Sequence, residues 1–251
     1  QLFALLPRKM KNVADYLLPA DADPEQIQNV IDRETDLLRM METQMQALPS
    51  NDSKEKTLLE EWNLSITPVN NEKELWQIKR HMGHSADCFS KAFRVKNSNR
   101  DNAFWNYYDK HNYHKEDIHY WYHGSRNMNC LSILHNGLIL NPKAPKVGHM
   151  FGYGIYLAPK AKKSIGYTSL NGSFWVHGTS DKAYLFVMKT VYKSPYHVYT
   201  WTSGMKSLTK SRISPHDAVF AHAGTSLRND EVVIFDDAQV TLQYIIELKQ
   251  Q

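Results

Sequence analysis

Two cysteines in 251 residues cannot make a disulfide framework. Cys88 and Cys130 stand among nine methionines, a composition suited to a reducing compartment. No run of 18 apolar residues and no secretory leader occurs, so the sequence predicts no membrane span. There is no internal repeat, no low-complexity tract and no zinc-finger spacing. Charge of one sign is also lacking. Thirty basic residues face 26 acidic ones, a net of +4 with a pI near 8.8, too even to assign a polyanionic partner. Two catalytic signatures are missing as well. No Walker phosphate loop is present, and no Gly-x-Ser-x-Gly elbow that would set up a serine hydrolase. What is there is ordinary: 42% apolar and 22% charged residues, enough for a real core and against global disorder. The length allows one large domain, or one domain with a smaller appendage. Gln1 lies against an apolar run, Leu2 to Leu6, from which we expect a piece of something longer.

Read in order, residues 24–48 predict a helix, with Asp23 as its cap, Pro24 in its first position and apolar residues such as Ile27, Val30, Ile31 and Leu38 at packing intervals. Pro49–Lys56 is a polar linker and the best domain boundary. A second helix is expected over 71–84, ended near Gly83, then a strand over Phe89–Val95 and a loop over Asn97–Asp101. Ile118–Tyr122 alternates like a strand. Further strands are expected over Ala183–Val191, Val198–Trp201, Glu231–Phe235 and Val240–Ile246, with a basic loop over 203–214. Many short strands and few helices after residue 85 point to an α+β chain with an antiparallel β core behind a small N-terminal helical segment. His111, His114, His119 and His123 have spacings that could be tried as zinc ligands. The strand alternation gives His119 and His123 no reason to converge with the others, so no metal is expected.

The informative stretch runs from Tyr122 to Tyr167. A His123-Gly124-Ser125 turn follows the strand. A glycine-rich loop, Gly148 to Gly154, leads into Ile155-Tyr156-Leu157-Ala158. Lys163, Ser164 and Tyr167 then open a predicted helix. Three glycines in seven residues between aromatic and hydroxyl side chains suit a pocket for a flat polar ligand. The candidates for chemistry are His123, Ser125, Tyr156, Ser164, Tyr167 and Glu231. A two-carboxylate glycosidase fits poorly, because Asp230 and Glu231 are adjacent on a strand and point to opposite faces. Tyrosines can sandwich a heterocycle. A hydroxyl and a backbone amide can hold its carboxamide, and one carboxylate can stabilise an adjacent cationic centre. Taken singly, each residue reads as well as packing or plain surface; the combination carries the case.

That combination resembles the catalytic region of the poly(ADP-ribose) polymerases, within the diphtheria-toxin-like ADP-ribosyltransferases. The family's His–Tyr–Glu triad lies on three separated motifs. Here these are Tyr122-His123-Gly124-Ser125-Arg126, then Gly152-Tyr-Gly-Ile-Tyr156 with Lys163-Ser164-Ile-Gly-Tyr167, then Asn229-Asp230-Glu231-Val-Val-Ile-Phe-Asp236. The likeness covers about residues 57–251. A weaker one over residues 1–50 is to the end of a helical regulatory domain. The resemblance implies NAD+ as substrate and no metal. Gly124 and Ser164 would hold the nicotinamide carboxamide, and Tyr156 and Tyr167 would stack on its ring. His123 and Ser125 would fix the adenosine-side ribose with Asn129 nearby, and Glu231 would serve the nicotinamide ribose and the acceptor. Met150 and Lys163 match positions on the acceptor side.

The sequence departs from the family in three places. Ile139 stands where many members have an adenosine-contacting arginine, His149 replaces an aromatic, and Gly172–Ser180 is short and lacks the usual pattern. The resemblance further implies protein acceptors, the chain itself included, and poly(ADP-ribose) as partners. It implies DNA contact only through parts upstream, no membrane partner and a nuclear location. Three functions stay open on this reading: polymer synthesis, mono-ADP-ribosylation on the same scaffold, and a non-catalytic module that binds NAD+ or ADP-ribose.

Overall fold

The computed structural model describes residues 18–19, 21–46, 56–140 and 150–250, with the side chains of residues 33 and 40–46 left aside. The expectations for residues 1–17, for the end of the first helix at Leu48, for most of the polar linker and for Gly148 and His149 lie outside the described residues.

Helix α1 spans Pro24–Gln46. Its start is the reciprocal cap that Asp23 and Gln26 make possible: the Gln26 amide donates to Asp23 Oδ1 at 2.7 Å, and the Asp23 amide donates to Gln26 Oε1 at 3.1 Å. Its apolar stripe is poorly covered, with Ile27, Ile31 and Leu38 each a little over 40% exposed (42%, 43% and 43%).

After residue 56 the chain builds two sheets. The larger has strand order β1-β2-β9-β5-β3, from Leu64–Pro68, Phe89–Asn97, Val240–Lys249, Lys182–Val191 and Ile118–Gly124, with every pairing antiparallel. The smaller has order β4-β8-β7-β6, from Ile155–Leu157, Glu231–Ile234, Ala218–Ala221 and Pro195–Val198. The helices that follow α1 are α2 (Leu58–Glu61), α3 (Glu72–Met82), α4 (Ser98–Lys110), α5 (Cys130–Asn136), α6 (Ala161–Ile165) and α7 (Lys210–Ile213).

Strand β5 lies inside the larger sheet and is buried on both faces, which is why it reads as a nearly continuous apolar run. Phe186 and Met188 enter a core with Ile155, Leu157 and Ile234 of the smaller sheet. Ala183, Leu185 and Val187 face α3 and α6 on the other side, against Ile78, Met82 and Ala161. Strand β9 serves both cores through a bulge. Val187 pairs with Tyr244 but Met188 pairs with Leu242, so Gln243 is the extra residue. The slip puts Leu242 and Ile245, three positions apart, on one face, and leaves Ile246 and Leu248 for the other.

Several expectations are corrected here. Asn97–Asp101 is not a loop. Asn97 Oδ1 accepts from the Arg100 amide at 3.1 Å and so caps α4, a role for which asparagine is as well suited as for a turn. The strand expected at Val198–Trp201 lies earlier, at Pro195–Val198, and it pairs with β7 in parallel, so the smaller sheet is mixed rather than antiparallel. The segment 203–214 contains a 3-10 turn at Ser203–Ser207 and the short helix α7, capped by Thr209. Lys163 and Ser164 sit toward the end of the five-residue α6 rather than at a helix start, and Tyr167 lies beyond it.

Phe186 is fully buried and is the register partner of His123. Replacing it by alanine is expected to cost about 3–5 kcal/mol of unfolding free energy, read as a lower urea midpoint at unchanged slope. A cost below about 1 kcal/mol would contradict its place in this core.

Candidate active site

The site forms where the end of β3 meets β4 and α6. Tyr122 and Ala158 exchange two backbone hydrogen bonds, both 2.9 Å, which tie β3 to the residue after β4. Two residues on, Gly124 ends β3 and lies against α6 so closely that a Cβ there would sit 1.7 Å from the Ser164 carbonyl oxygen. Only glycine fits. Ser164, 4% exposed, donates its hydroxyl to the Tyr122 carbonyl at 3.0 Å.

These contacts floor a cavity of about 490 Å3. His123, Gly124, Ser125 and Asn129 line it from β3 and the turn that follows. Tyr156 lines it from β4, Lys163, Ser164 and Tyr167 from α6 and just beyond, and Glu231 from the start of β8. Met150, expected on the acceptor side, is not among the lining residues. It packs against the core around Phe151, and its carbonyl accepts from Trp201 Nε1 at 2.7 Å. Ile139 does line the cavity, half exposed.

His123 Nδ1 is 3.0 Å from the Tyr156 carbonyl. A carbonyl can only accept, so the proton is on Nδ1, and in the neutral ring Nε2 is left as an acceptor. Burial pushes the imidazole below its usual value, with the Tyr156 carbonyl opposing in part, so the neutral form is favoured. The Tyr156 hydroxyl takes the Phe151 amide at 2.9 Å and donates to the Gly152 carbonyl at 2.8 Å, which fixes the loop that precedes β4. Gly152 has φ +82°, and a Cβ there would lie 2.0 Å from the Leu208 carbonyl oxygen, so the loop also depends on glycine. Burial and the nearby Glu231 carboxylate raise the Tyr167 phenol, and burial raises that of Tyr156, so both stay protonated. Ser125 Oγ accepts from Asn129 Nδ2 at 2.9 Å.

Glu231 Oε1 is 2.7 Å from Lys163 Nζ, and both side chains are 12% exposed. Its neighbour Asp230 turns elsewhere, its Oδ1 accepting from the Ala223 amide at 2.7 Å. A single carboxylate thus serves the cavity from this strand, set opposite a cation.

Two charged lining residues were not found from the sequence. Asp36 and Arg39 reach the cavity from α1, which packs on α5 and on the 3-10 turn Asn127–Asn129. Burial raises the Asp36 carboxyl against the lowering effect of Arg39, Asn129 and Arg126. Two charged residues three apart on a polar helix face carry no signal of a pocket, since the same pattern describes a solvated surface.

The clustered histidines go to different partners. His111 Nδ1 lies 2.8 Å from the Tyr107 carbonyl, and His119 stacks on Tyr192. Among the described residues no group of three or more His, Cys, Asp or Glu could hold a metal ion, and no helix is long and apolar enough to cross a membrane.

Residues 72–250 match the family model described as poly(ADP-ribose) polymerase catalytic domain. A poly(ADP-ribose) polymerase of Drosophila melanogaster is 31% identical over 147 residues, covering 51% of this chain and 15% of that protein. Poly(ADP-ribose) polymerase 2 of Arabidopsis thaliana is 25% identical over 222 residues, covering 74% of this chain and 33% of that protein. Poly(ADP-ribose) polymerase 2 of Homo sapiens is 47% identical over 57 residues, covering 21% and 10%. The chain therefore spans a third or less of each of these relatives.

The neutral His123 has a pH consequence. A depressed imidazole keeps native stability above its usual value of 6.5 and loses it as pH falls below, because the unfolded chain takes up the proton first. A pH titration of the histidine ring signals by NMR should find His123 neutral at pH 6.5. A ring half-protonated at or above 6.5 would contradict the assignment.

Proposed function

The chain belongs to the family of poly(ADP-ribose) polymerase catalytic domains, and from that premise we propose that it cleaves NAD+ at the nicotinamide ribose and transfers ADP-ribose to protein acceptors and to growing poly(ADP-ribose). One observation carries the proposal. His123, Tyr167 and Glu231, from three separated motifs, line a single cavity floored by the contact of Gly124 with α6. Donors, ring faces and one carboxylate are the groups that a flat amide-bearing base joined to a sugar calls for, and their presence together supports the reading.

On this reading the Gly124 backbone and the Ser164 hydroxyl bind the carboxamide, the hydroxyl turning from its Tyr122 carbonyl to do so. Tyr156 and Tyr167 sandwich the ring. Neutral His123 accepts through Nε2 from a ribose hydroxyl, with Ser125 and Asn129 beside it. Glu231 faces the carbon from which nicotinamide leaves. Its carboxylate stabilises the positive charge that develops there as the carbon–nitrogen bond breaks, and it orients the acceptor hydroxyl that bonds to that carbon and gives up its proton. Lys163 holds the carboxylate at 2.7 Å and presents a cation on the acceptor side; Met150, from its loop, would contribute to acceptor binding at a remove from the cavity.

We read residues 1–50 as the end of a helical regulatory domain and 57–251 as the catalytic domain. The half-exposed stripe Ile27, Ile31 and Leu38 supports this, since a bundle helix shows such a stripe when its partners are incomplete. Asp36 and Arg39 in the cavity wall support a restraining role for α1. The family supports automodification, a nuclear site of action and DNA dependence through upstream parts. A second reading, mono-ADP-ribosylation, is favoured by Ile139, an apolar side chain in the cavity wall where a guanidinium would grip the adenosine side.

Glu231→Gln keeps the size of the side chain and an oxygen for Lys163. It is expected to lower NAD+ turnover by about 100- to 1000-fold in a chain that stays folded by circular dichroism at the assay temperature. Turnover equal to wild type would remove Glu231 from the mechanism. The wild-type product on a sizing gel separates the two readings: a ladder means polymer, one sharp band means single addition.

A further inference from the structure

Gly172–Ser180, where the sequence lacks the family's pattern, is a knit structure with an aromatic tip. The Asn171 amide donates to the Ser180 carbonyl at 2.8 Å, and the Ser180 amide to the Ser169 carbonyl at 2.9 Å. The Gly178 amide donates to Ser173 Oγ at 2.8 Å, and a Cβ on Gly178 would lie 2.4 Å from the Ser169 backbone. Leu170 and Ser173 are buried within this base. The tip carries Phe174 and Trp175, 59% and 55% exposed. Two consecutive large aromatics this exposed are not there to fill the core.

Their contacts lead into the cavity. The Trp175 amide donates to the Gly166 carbonyl at 2.9 Å, directly before Tyr167. The Trp175 ring stacks on the Tyr167 ring with centroids 5.8 Å apart and planes 19° apart. Phe174 meets Trp175 edge-on at 4.6 Å and 89°, and the Arg228 guanidinium lies 6.0 Å from the Phe174 ring centre. Arg228 precedes Glu231 by three residues. A chain of ring contacts therefore runs from the connection before β8 to the ring that walls the cavity. Tyr167 follows the five-residue α6 and is 39% exposed, so α6 alone gives its ring little support.

We propose that Trp175 is a positioning residue that braces the Tyr167 ring from outside the cavity and so sets the width of the slot for the nicotinamide base, with Phe174 and Arg228 fixing the brace to the segment that leads into Glu231. The inference rests on the reading of the cavity given above. Trp175 does not line the cavity, so it acts through Tyr167 and not on the base. Loss of the brace leaves the Tyr167 ring free to swing, which weakens stacking but leaves Glu231 and Lys163 in place.

The test is calorimetric titration of free nicotinamide into the wild-type chain, Trp175→Ala and Trp175→Phe, with steady-state NAD+ turnover and thermal midpoints measured on the same preparations. Trp175→Ala is expected to weaken nicotinamide binding and raise KM for NAD+ by roughly three- to tenfold, the worth of one aromatic pair. Its kcat should stay within about twofold and its midpoint close to wild type, while Trp175→Phe restores most of the affinity. Wild-type binding by Trp175→Ala overturns the inference and leaves the reading of the cavity standing. So does a Trp175→Phe as weak as Trp175→Ala, or a fall in midpoint that accounts for the loss. Failure of the wild-type chain to bind nicotinamide overturns both.

Discussion

The site depends on a close approach of backbone to backbone. At Gly124 the end of β3 lies against the Ser164 carbonyl with no room for a side chain, and two residues earlier Tyr122 is tied to Ala158 by paired hydrogen bonds. The end of β3 is thereby held against the stretch from Ala158 to Ser164, which lies far from it in sequence. Three cavity residues are hung from this junction: His123 by its bond to the Tyr156 carbonyl, Ser164 by its bond to Tyr122, and Tyr167 by its place just past α6. The two sheets supply rigidity behind it, with β5 buried on both faces and β9 bulged at Gln243 so that it can pack both ways.

Electrostatics then separate the roles. Burial keeps His123 neutral and both tyrosines protonated, so that the cavity wall holds hydrogen-bonding groups of fixed sense. Among the described lining residues, charge is confined to Lys163 and Glu231 and to Asp36 and Arg39. A largely buried ion pair gains little net stability, because desolvation offsets the attraction. Its retention beside the proposed reaction centre fits a group kept for orientation rather than for folding.

Much of this was legible in the sequence, and for a reason. The residues proposed to carry chemistry are of unusual type for their setting: a histidine near the end of a strand, a carboxylate opening another, glycines between aromatics. Their types and order could be read directly. The strands over 118–122, 183–191 and 240–246 were legible because their runs are apolar or alternate clearly. What could not be read has physical causes. Asn97 serves a turn and a helix cap equally well. Gln243 carries no mark of a bulge, which exists only relative to its partner strand. The early start of β6 and its parallel pairing follow from a neighbour that is not local. Asp36 and Arg39 look like any solvated helix face, and Trp175 gains its meaning only from the ring it touches.

The central claim is that this cavity breaks NAD+ at the nicotinamide ribose and passes ADP-ribose on. The most direct measurement incubates the chain with NAD+ labelled in its adenylate part and follows free nicotinamide and protein-bound label together. The account predicts nicotinamide release with label appearing on protein in step. Neither nicotinamide release nor labelled protein, from a folded chain, would contradict it.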